Sequence, residues 1–339
     1  CLPGEGMSAT AAPKAVALFS GGLDSMLAVR ILQQQGLDVE ALNVRTIFQC
    51  CKTPVARAAA ELGVRLTVLD VGDDYLDVLR NPRHGYGKGY NPCVDCRAYM
   101  GRMARRLMED SGACVVVSGE VVGQRPNSQK RPQLGLVARD AGLEGKLLRP
   151  LSAKLLPATI PEIEGLVDRR RLYGFHGRGR RPLIELATRL GIRAIPTPST
   201  GCALAEKNFS PRVKDLLAHR PGARRWEYEL LNTGRHFRFD GKTKMVVGRN
   251  ERENALLERL FQQAASGEVL LVEPADFVGP VGLLLGPAGE RTINSLAALL
   301  VRYTRQCDPE RASVRVWRGG QCHVRRARPA EAVHPAHRL

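Results

Sequence analysis

From Lys14 onward, apolar residues follow two alternating rhythms. Short aliphatic runs, "AVALF" (15–19), "DVEALNV" (38–44), "VRLTVLDVG" (64–72) and "ACVVVSGE" (113–120), read as strands. Between them lie stretches with apolar side chains four apart. In "MLAVRILQQQG" (26–36), Leu27 and Ile31, and Ala28 and Leu32, share a helical face, and Gly36 closes the helix. "TPVARAAAELG" predicts a second helix, with Thr53 as N-cap and Pro54 in the first turn, and "RAYMGRMARRLMEDSG" (97–112) a third. Strands alternating with helices of this length predict an α/β fold, a doubly wound parallel sheet with helices on both faces. Ligands in such sheets sit at the carboxyl ends of the strands.

The rhythm changes after residue 157. "LIELATRLG" (183–191) is a short helix, and "AHRPGARR" between Leu217 and Trp226 reads as a linker. Beyond it, "RHFRFDGKTKMVVGRNERENALLERLFQQA" reads as a hairpin and helix, "EVLLVEPADFVGPVGLLLG" as further strand, and "GERTINSLAALLVRYTRQC" as a helix. The expected organisation is a leader over 1–13, with Met7 as the start, a first domain over 14–216, a linker over 217–226, a smaller α+β domain over 227–322 and a basic tail over 323–339.

Charge adds a partner class. The chain has 51 Lys plus Arg against 34 Asp plus Glu, a formal charge of +17. Such a surface attracts polyanions, and with no apolar run long enough for a membrane span, nucleic acid is the expected one. Nine cysteines without a secretory segment point to a reducing cytoplasm rather than to disulfides.

"FSGGLDS" (19–25) falls at the first strand-to-helix junction. Gly21 and Gly22 clear side chains from a phosphate, backbone N–H groups and the helix dipole face it, and Ser20 and Ser25 can add hydroxyl donors. Neither the Walker A nor the dinucleotide spacing is present. The stretch resembles the S-G-G-x-D-S signature of the PP-loop ATP pyrophosphatases, with their Rossmann-like HUP fold. That resemblance implies cleavage of ATP between the α and β phosphates, with Asp24 acting at the phosphates through Mg2+. "SGEVVGQRPNSQ" (118–129), "LLRPLSAK" (147–154) and "STGCALAEK" (199–207) are similar to segments of the ThiI-like tRNA thiouridine synthases, over residues 14 to about 215. Gly119 and Gln124 then join the expected ATP site.

A uracil carbonyl oxygen leaves poorly until it carries AMP, after which sulfur must attack the activated carbon. Cys93, Cys96 and Cys202, a Cys-x-x-Cys plus one distant cysteine, look like the ligands of a four-iron four-sulfur cluster in thiolation enzymes, with one iron open for sulfide. A persulfide on Cys202 with a partner thiol, and a structural zinc, are the other readings of the same residues. The catalytic expectation is Asp24, Cys93 and Cys202. Cys50 and Cys51 read as loop residues, and Cys114 as core.

For RNA, "GRHFRFDGKTKMVVGRNERENALLERL" (234–260) resembles the NFACT-R module. Arg235, Arg238, Lys242, Lys244, Arg249 and Arg252 are its expected phosphate contacts, with Phe237 and Phe239 sharing one strand face. The segment 168–182 adds Arg169, Arg170, Arg171, Arg178, Arg180 and Arg181. The resulting expectation is a cytoplasmic, ATP-dependent tRNA thiouridine synthase supplied by sulfide or a cysteine desulfurase, compatible with a homodimer. An amidotransferase-type ATP pyrophosphatase, or a nucleotide-regulated RNA-binding protein braced by zinc, is the alternative.

Overall fold

The computed structural model describes residues 12–48, 55–87, 89–197, 202–264, 267–304, 307–327 and 337–339. Thr53, Pro54, Cys50, Cys51 and residues 1–11 of the expected leader lie outside the described residues. The chain forms two compact units, Cys1–Cys202 and Ala203–Leu339.

In the first unit the elements run β1 (Lys14–Leu18), α1 (Leu23–Gln33), β2 (Asp38–Arg45), α2 (Val55–Leu62), β3 (Leu66–Asp70), α3 (Tyr75–Arg80), α4 (Cys93–Ser111), β4 (Val115–Ser118), α5 (Arg131–Asp140), β5 (Leu147–Leu148), α6 (Ile160–Ile163) and α7 (Arg181–Arg189). The strands form a five-stranded sheet in the order β3-β2-β1-β4-β5. All its pairings are parallel. The apolar alternation of β1 and β2 sends Ala15, Ala17, Val39 and Ala41 to one face, where they pack with Met26, Leu27, Leu186 and Ala187 of α1 and α7. No buried residue of α4 joins that core; α4 packs against β1, β2 and β4, with α3 and α5 beside it. The expected doubly wound parallel sheet is therefore the fold of this unit.

The sheet order reverses between β1 and β4. Leu18 pairs with Ser118 there, so both strands end side by side at the switch point where doubly wound sheets bind ligands.

In the second unit, α8 (Ser210–His219) and α9 (Arg225–Leu230) precede β6 (Arg235–Arg238), β7 (Lys244–Val247), α10 (Glu251–Gln263), β8 (Val269–Pro274), β9 (Gly282–Leu285), α11 (Glu290–Arg302), β10 (Ser313–Arg318), β11 (Gln321–Arg326) and β12 (His337–Arg338). The seven strands are ordered β11-β10-β8-β9-β7-β6-β12. Met245, Val247, Leu270, Val272 and Leu284 meet α11 on one face of the sheet. Val246, Val269, Leu271, Leu283 and Leu285 meet α9 and α10 on the other. Phe237 lies in the first of these cores and Phe239 packs against it, so both fill the interior.

Three expected boundaries move. Residues 203–216, expected in the first domain, belong to the second unit, because Asp215 of α8 accepts from Arg238 Nε at 2.7 Å, Arg238 Nη2 at 2.6 Å and Lys244 Nζ at 3.0 Å. The expected linker contains buried Ala223 and the start of α9. The expected basic tail supplies most of β11 and all of β12, whose His337 pairs with Arg238.

Candidate active site

The phosphate loop leaves β1 at Leu18 and enters α1 at Leu23. Gly21 has φ of 71°, the left-handed conformation that excludes most side chains. Gly22 caps α1 with extended backbone and no side-chain hydrogen bond, which leaves the first-turn amides for an anion. Ser25 Oγ donates to Gly22 O at 2.8 Å, and Ser20 Oγ stands 3.4 Å from Ser25 Oγ. Gly119, at the end of β4, is where the switch point closes: a Cβ there would stand 2.5 Å from the Asp24 carbonyl and 2.6 Å from Ser25 N. Its absence of a side chain lets β4 lie against the loop.

Asp24 projects from the first turn of α1. Burial raises its carboxyl above the ordinary range, opposed by the hydrogen bond from Gln124 and by the charges of Arg125 and Arg180. Gln124 Nε2 donates to Asp24 Oδ2 at 3.0 Å, so the loop after β4 holds the carboxylate.

The segments "SGEVVGQ" and "LLRPLS" meet behind this loop. Buried Arg149 donates through Nε to Glu120 Oε2 at 3.0 Å, and Arg97 lies 3.9 Å from Oε1. Burial works to raise Glu120, but Arg149 and Arg97 outweigh it and hold it ionised. Ser152 Oγ accepts from Val122 N at 3.0 Å and donates to Phe175 O at 2.7 Å, tying the Gln124 loop to residues 173–175.

Cys93 and Cys96 occupy the first turn of α4. Asn91, buried, donates from Nδ2 to Cys93 Sγ at 2.9 Å and accepts from Gly89 N at 3.0 Å. It follows Tyr90, whose φ is 57°, a left-handed strain that aims the asparagine back at the helix start. Burial raises the half-buried Cys96 thiol, and its Sγ lies 3.1 Å from the Tyr75 hydroxyl. Tyr75 is itself buried and packs edge-on to Tyr99 with ring centroids 5.2 Å apart. Burial raises the Tyr75 phenol well above its usual value, and Cys96, Cys202 and Cys93 all act on it in the same direction. All three cysteines expected from sequence thus act on the charge of one phenol, and Cys96 Sγ lies within hydrogen-bond distance of it. Among the described residues, no three His, Cys, Asp or Glu side chains stand close enough together to hold a metal ion.

Sequence reasoning missed Arg125, although it follows Gln124 directly. Its side chain reaches solvent yet is crowded: desolvation and Arg97 lower its pKa, opposed by Cys93, Asp24 and Cys202. It is electrostatically coupled both to the phosphate loop and to the cysteines.

Residues 10–154 match the family described as thiamine biosynthesis protein (ThiI). Residues 234–334 match the family described as NFACT protein RNA binding domain. Each of these family matches covers one stretch of the chain, the first within the first unit and the second within the second. A tRNA-specific 2-thiouridylase MnmA of Thiobacillus denitrificans is 27% identical over 225 residues, 60% of this chain and 58% of the relative. A probable tRNA sulfurtransferase of Methanothermobacter thermautotrophicus is 30% identical over 230 residues, 64% of this chain and 54% of the relative. A Haemophilus influenzae MnmA is 26% identical over 270 residues, 74% of this chain and 65% of the relative. The chain thus spans 54% to 65% of the length of these relatives. Within the stretch that matches the ThiI family fall the phosphate loop, Cys93, Cys96, Glu120, Gln124 and Arg149. Cys202 lies beyond the matched span.

The arginines named from sequence divide by what they touch. Arg169 bonds Glu162 at 2.6 Å and the carbonyls of Ala153 and Leu156, and Arg171 bonds the Gln34 carbonyl. Arg170 pairs with Asp168, and Arg181 with Glu185 on α7. Arg178 is exposed. Arg180 donates to the Pro196 carbonyl and acts on Asp24, which places it near the phosphate loop. In the NFACT-type domain, Arg249 grips Glu253 at the start of α10. Arg238 and Lys244 are corrected from phosphate contacts to interior partners of Asp215: all three side chains are buried, and burial lowers Lys244 to about 8. Lys242 and Arg252 remain exposed.

Proposed function

We propose that this chain is an ATP-dependent tRNA thiouridine synthase. The observation that supports the reading best is the phosphate loop at the switch point of the sheet, with its Asp24 carboxylate held by Gln124, in the same unit as the three cysteines.

The uracil carbonyl oxygen attacks the α-phosphorus of ATP. An O–P bond forms, the α–β bridge breaks, pyrophosphate takes the electron pair, and the uracil N–H proton is released. Hydrosulfide, or an equivalent delivered by a sulfur donor, then adds at the activated carbon. The C–O bond breaks, AMP leaves, and the sulfur's proton passes to the ring nitrogen. Ser20, Gly21, Gly22 and Ser25 cradle the phosphates. Asp24 faces them through Mg2+, because a carboxylate beside a polyphosphate needs a cation between them.

For the cysteines, the donor set fits an iron–sulfur cluster in kind, three thiols carried by the same unit. A four-iron four-sulfur cluster, when bound, would supply an iron with an open position for sulfide, held by Cys93, Cys96 and Cys202. Among the described residues no helix is long and apolar enough to cross a membrane. RNA contact falls to exposed groups of the NFACT-type domain, Lys242 and Arg252 among them, and to Arg170, Arg178 and Arg181, since both faces of the second sheet are covered by helices. The setting is the cytoplasm, where tRNA and a sulfur donor are at hand.

The test is anaerobic purification followed by iron and acid-labile sulfide analysis and a thiolation assay with tRNA, ATP and sulfide. Iron with sulfide and thiouridine formation support the whole reading. Thiolation by iron-free protein would transfer the sulfur to a persulfide on Cys202, and one zinc without thiolation would favour a binding module.

A further inference from the structure

The helices that cover the second sheet leave its β11 end open. On the face under α9 and α10, cross-strand pairing sets Leu271 and Glu273 of β8 beside Trp317 and Arg315 of β10, and these beside Cys322 and Val324 of β11. Exposure grows along that row. Leu271 is buried in the core, Trp317 packs only at its margin, Cys322 is exposed and Val324 is 67% exposed. Among the described residues, β11 adds nothing to that core, and as the last strand of the sheet it has one unpaired edge. The side chains of this open strip are held in place. Glu273 Oε1 accepts from Arg315 Nε at 2.7 Å and from Trp317 Nε1 at 3.0 Å, so one carboxylate oxygen fixes both a guanidinium and a ring. Arg326, opposite Ser313 on the same face, donates through Nε to the Glu310 carbonyl at 2.7 Å. Among the described residues, neither arginine hydrogen-bonds through its Nη nitrogens. The hairpin 311–326 carries five arginines and no carboxylate.

We infer that this β10–β11 strip binds single-stranded RNA, with bases lying on Trp317 and Val324 and phosphates held by Arg315 and Arg326. Charge selects the class of partner. A hairpin of five arginines without a carboxylate attracts a phosphate chain, and charged side chains along an edge strand oppose its pairing with a strand of another protein. Each guanidinium, anchored through Nε, keeps two Nη nitrogens for phosphate oxygens. The ring selects the form of the RNA. An aromatic side chain lying on a sheet surface stacks with a base that is free of a duplex, whereas a double helix offers its phosphates and leaves Trp317 and Val324 bare. The inference rests on the thiouridine synthase reading for the use to which the bound RNA is put; the binding itself needs neither ATP nor sulfur.

The experiment titrates the full chain and its Val324→Glu, Arg326→Ala and Trp317→Phe variants with a short labelled oligouridine, and with its duplex with oligoadenine, by fluorescence anisotropy at several salt concentrations. Val324→Glu and Arg326→Ala, both at exposed positions, are each expected to weaken the single strand about tenfold and the duplex by less than about twofold. Arg326→Ala also lowers the salt slope by about 0.7, as the loss of one phosphate contact would. The single strand quenches tryptophan fluorescence in the parent but not in Trp317→Phe, because Trp226, the other tryptophan, is buried. Unchanged affinity in Val324→Glu and Arg326→Ala overturns the inference. So does an equal loss for the duplex, which would make the strip a phosphate surface alone, or quenching that persists in Trp317→Phe. Self-association that Val324→Glu abolishes while RNA affinity stands would overturn it in favour of a protein interface. A chain that binds RNA through this strip but forms no thiouridine leaves the strip assigned and defeats the synthase reading.

Discussion

The phosphate loop is drawn from consecutive residues, Phe19 to Ser25, while the candidate cysteine residues lie on separate segments: Tyr75 on α3, Asn91 with Cys93 and Cys96 at the head of α4, and Cys202 at the end of the unit. The first uses backbone: a left-handed glycine, an uncapped helix start and a close approach permitted by Gly119. The second uses side chains that hold each other, with an amide on one sulfur and a phenol beside another. A backbone cradle can be specified by a short stretch of chain, whereas a contact such as that of Tyr75 with Cys96 exists only once the fold has brought distant segments together. The loop after β4 supports the first of them, since Gln124 reaches Asp24.

If the two regions perform successive steps, substitutions should separate them. Asp24→Asn should lower pyrophosphate release by about 100-fold or more and abolish thiolation with it, because the second step has no activated carbon to attack. The same variant carries a stability signature. Burial raises the folded pKa of Asp24 above its unfolded value, so the ionised carboxylate costs stability in full above the folded pKa; that cost shrinks as pH falls through the folded pKa and is gone below about 3.8. Asp24→Asn should therefore melt higher than the parent at pH 7 and lose the advantage in acid, as followed by thermal unfolding. Cys202→Ser should abolish thiolation yet leave tRNA-dependent pyrophosphate release within a few-fold, read by coupled pyrophosphate assay and nucleoside mass spectrometry. Loss of both steps would mean that the two regions are one.

Two smaller effects probe the shared support. Glu120→Gln leaves the buried Arg149 guanidinium without its counter-charge and should destabilise the first unit by about 3–5 kcal/mol in denaturant unfolding. Gly119→Ala pushes a methyl into the Asp24–Ser25 backbone and should cost about 1–3 kcal/mol, with nucleotide affinity falling more than the Cys93 environment changes.

The same contrast explains what was legible in the sequence. The sheet, its main helices and the phosphate loop could be read because their periodicity and glycine spacing are local. The three cysteines could be nominated by type, but Tyr75 and Asn91 could not, since an aromatic in a short helix and an asparagine before a proline look like ordinary packing and turn residues until α3 and α4 are in place. Arg125 went unseen because the reading stopped at Gln124. The arginine-rich segment 168–182 misled by composition: Arg169 and Arg171 spend their donors on Glu162 and on backbone carbonyls. Arg238 and Lys244 failed as RNA contacts for a tertiary reason, the buried carboxylate of Asp215, which no local pattern of the hairpin could reveal.

The central claim is that one site activates a uridine with ATP and then replaces its oxygen with sulfur. It is tested most directly by incubating the anaerobically purified protein with tRNA, sulfide and ATP labelled at the α-phosphate, then counting AMP, pyrophosphate and thiouridine in the same reaction. The account predicts one AMP and one pyrophosphate for each thiouridine formed. ADP and phosphate as the products, or pyrophosphate without sulfur in the tRNA, would contradict it.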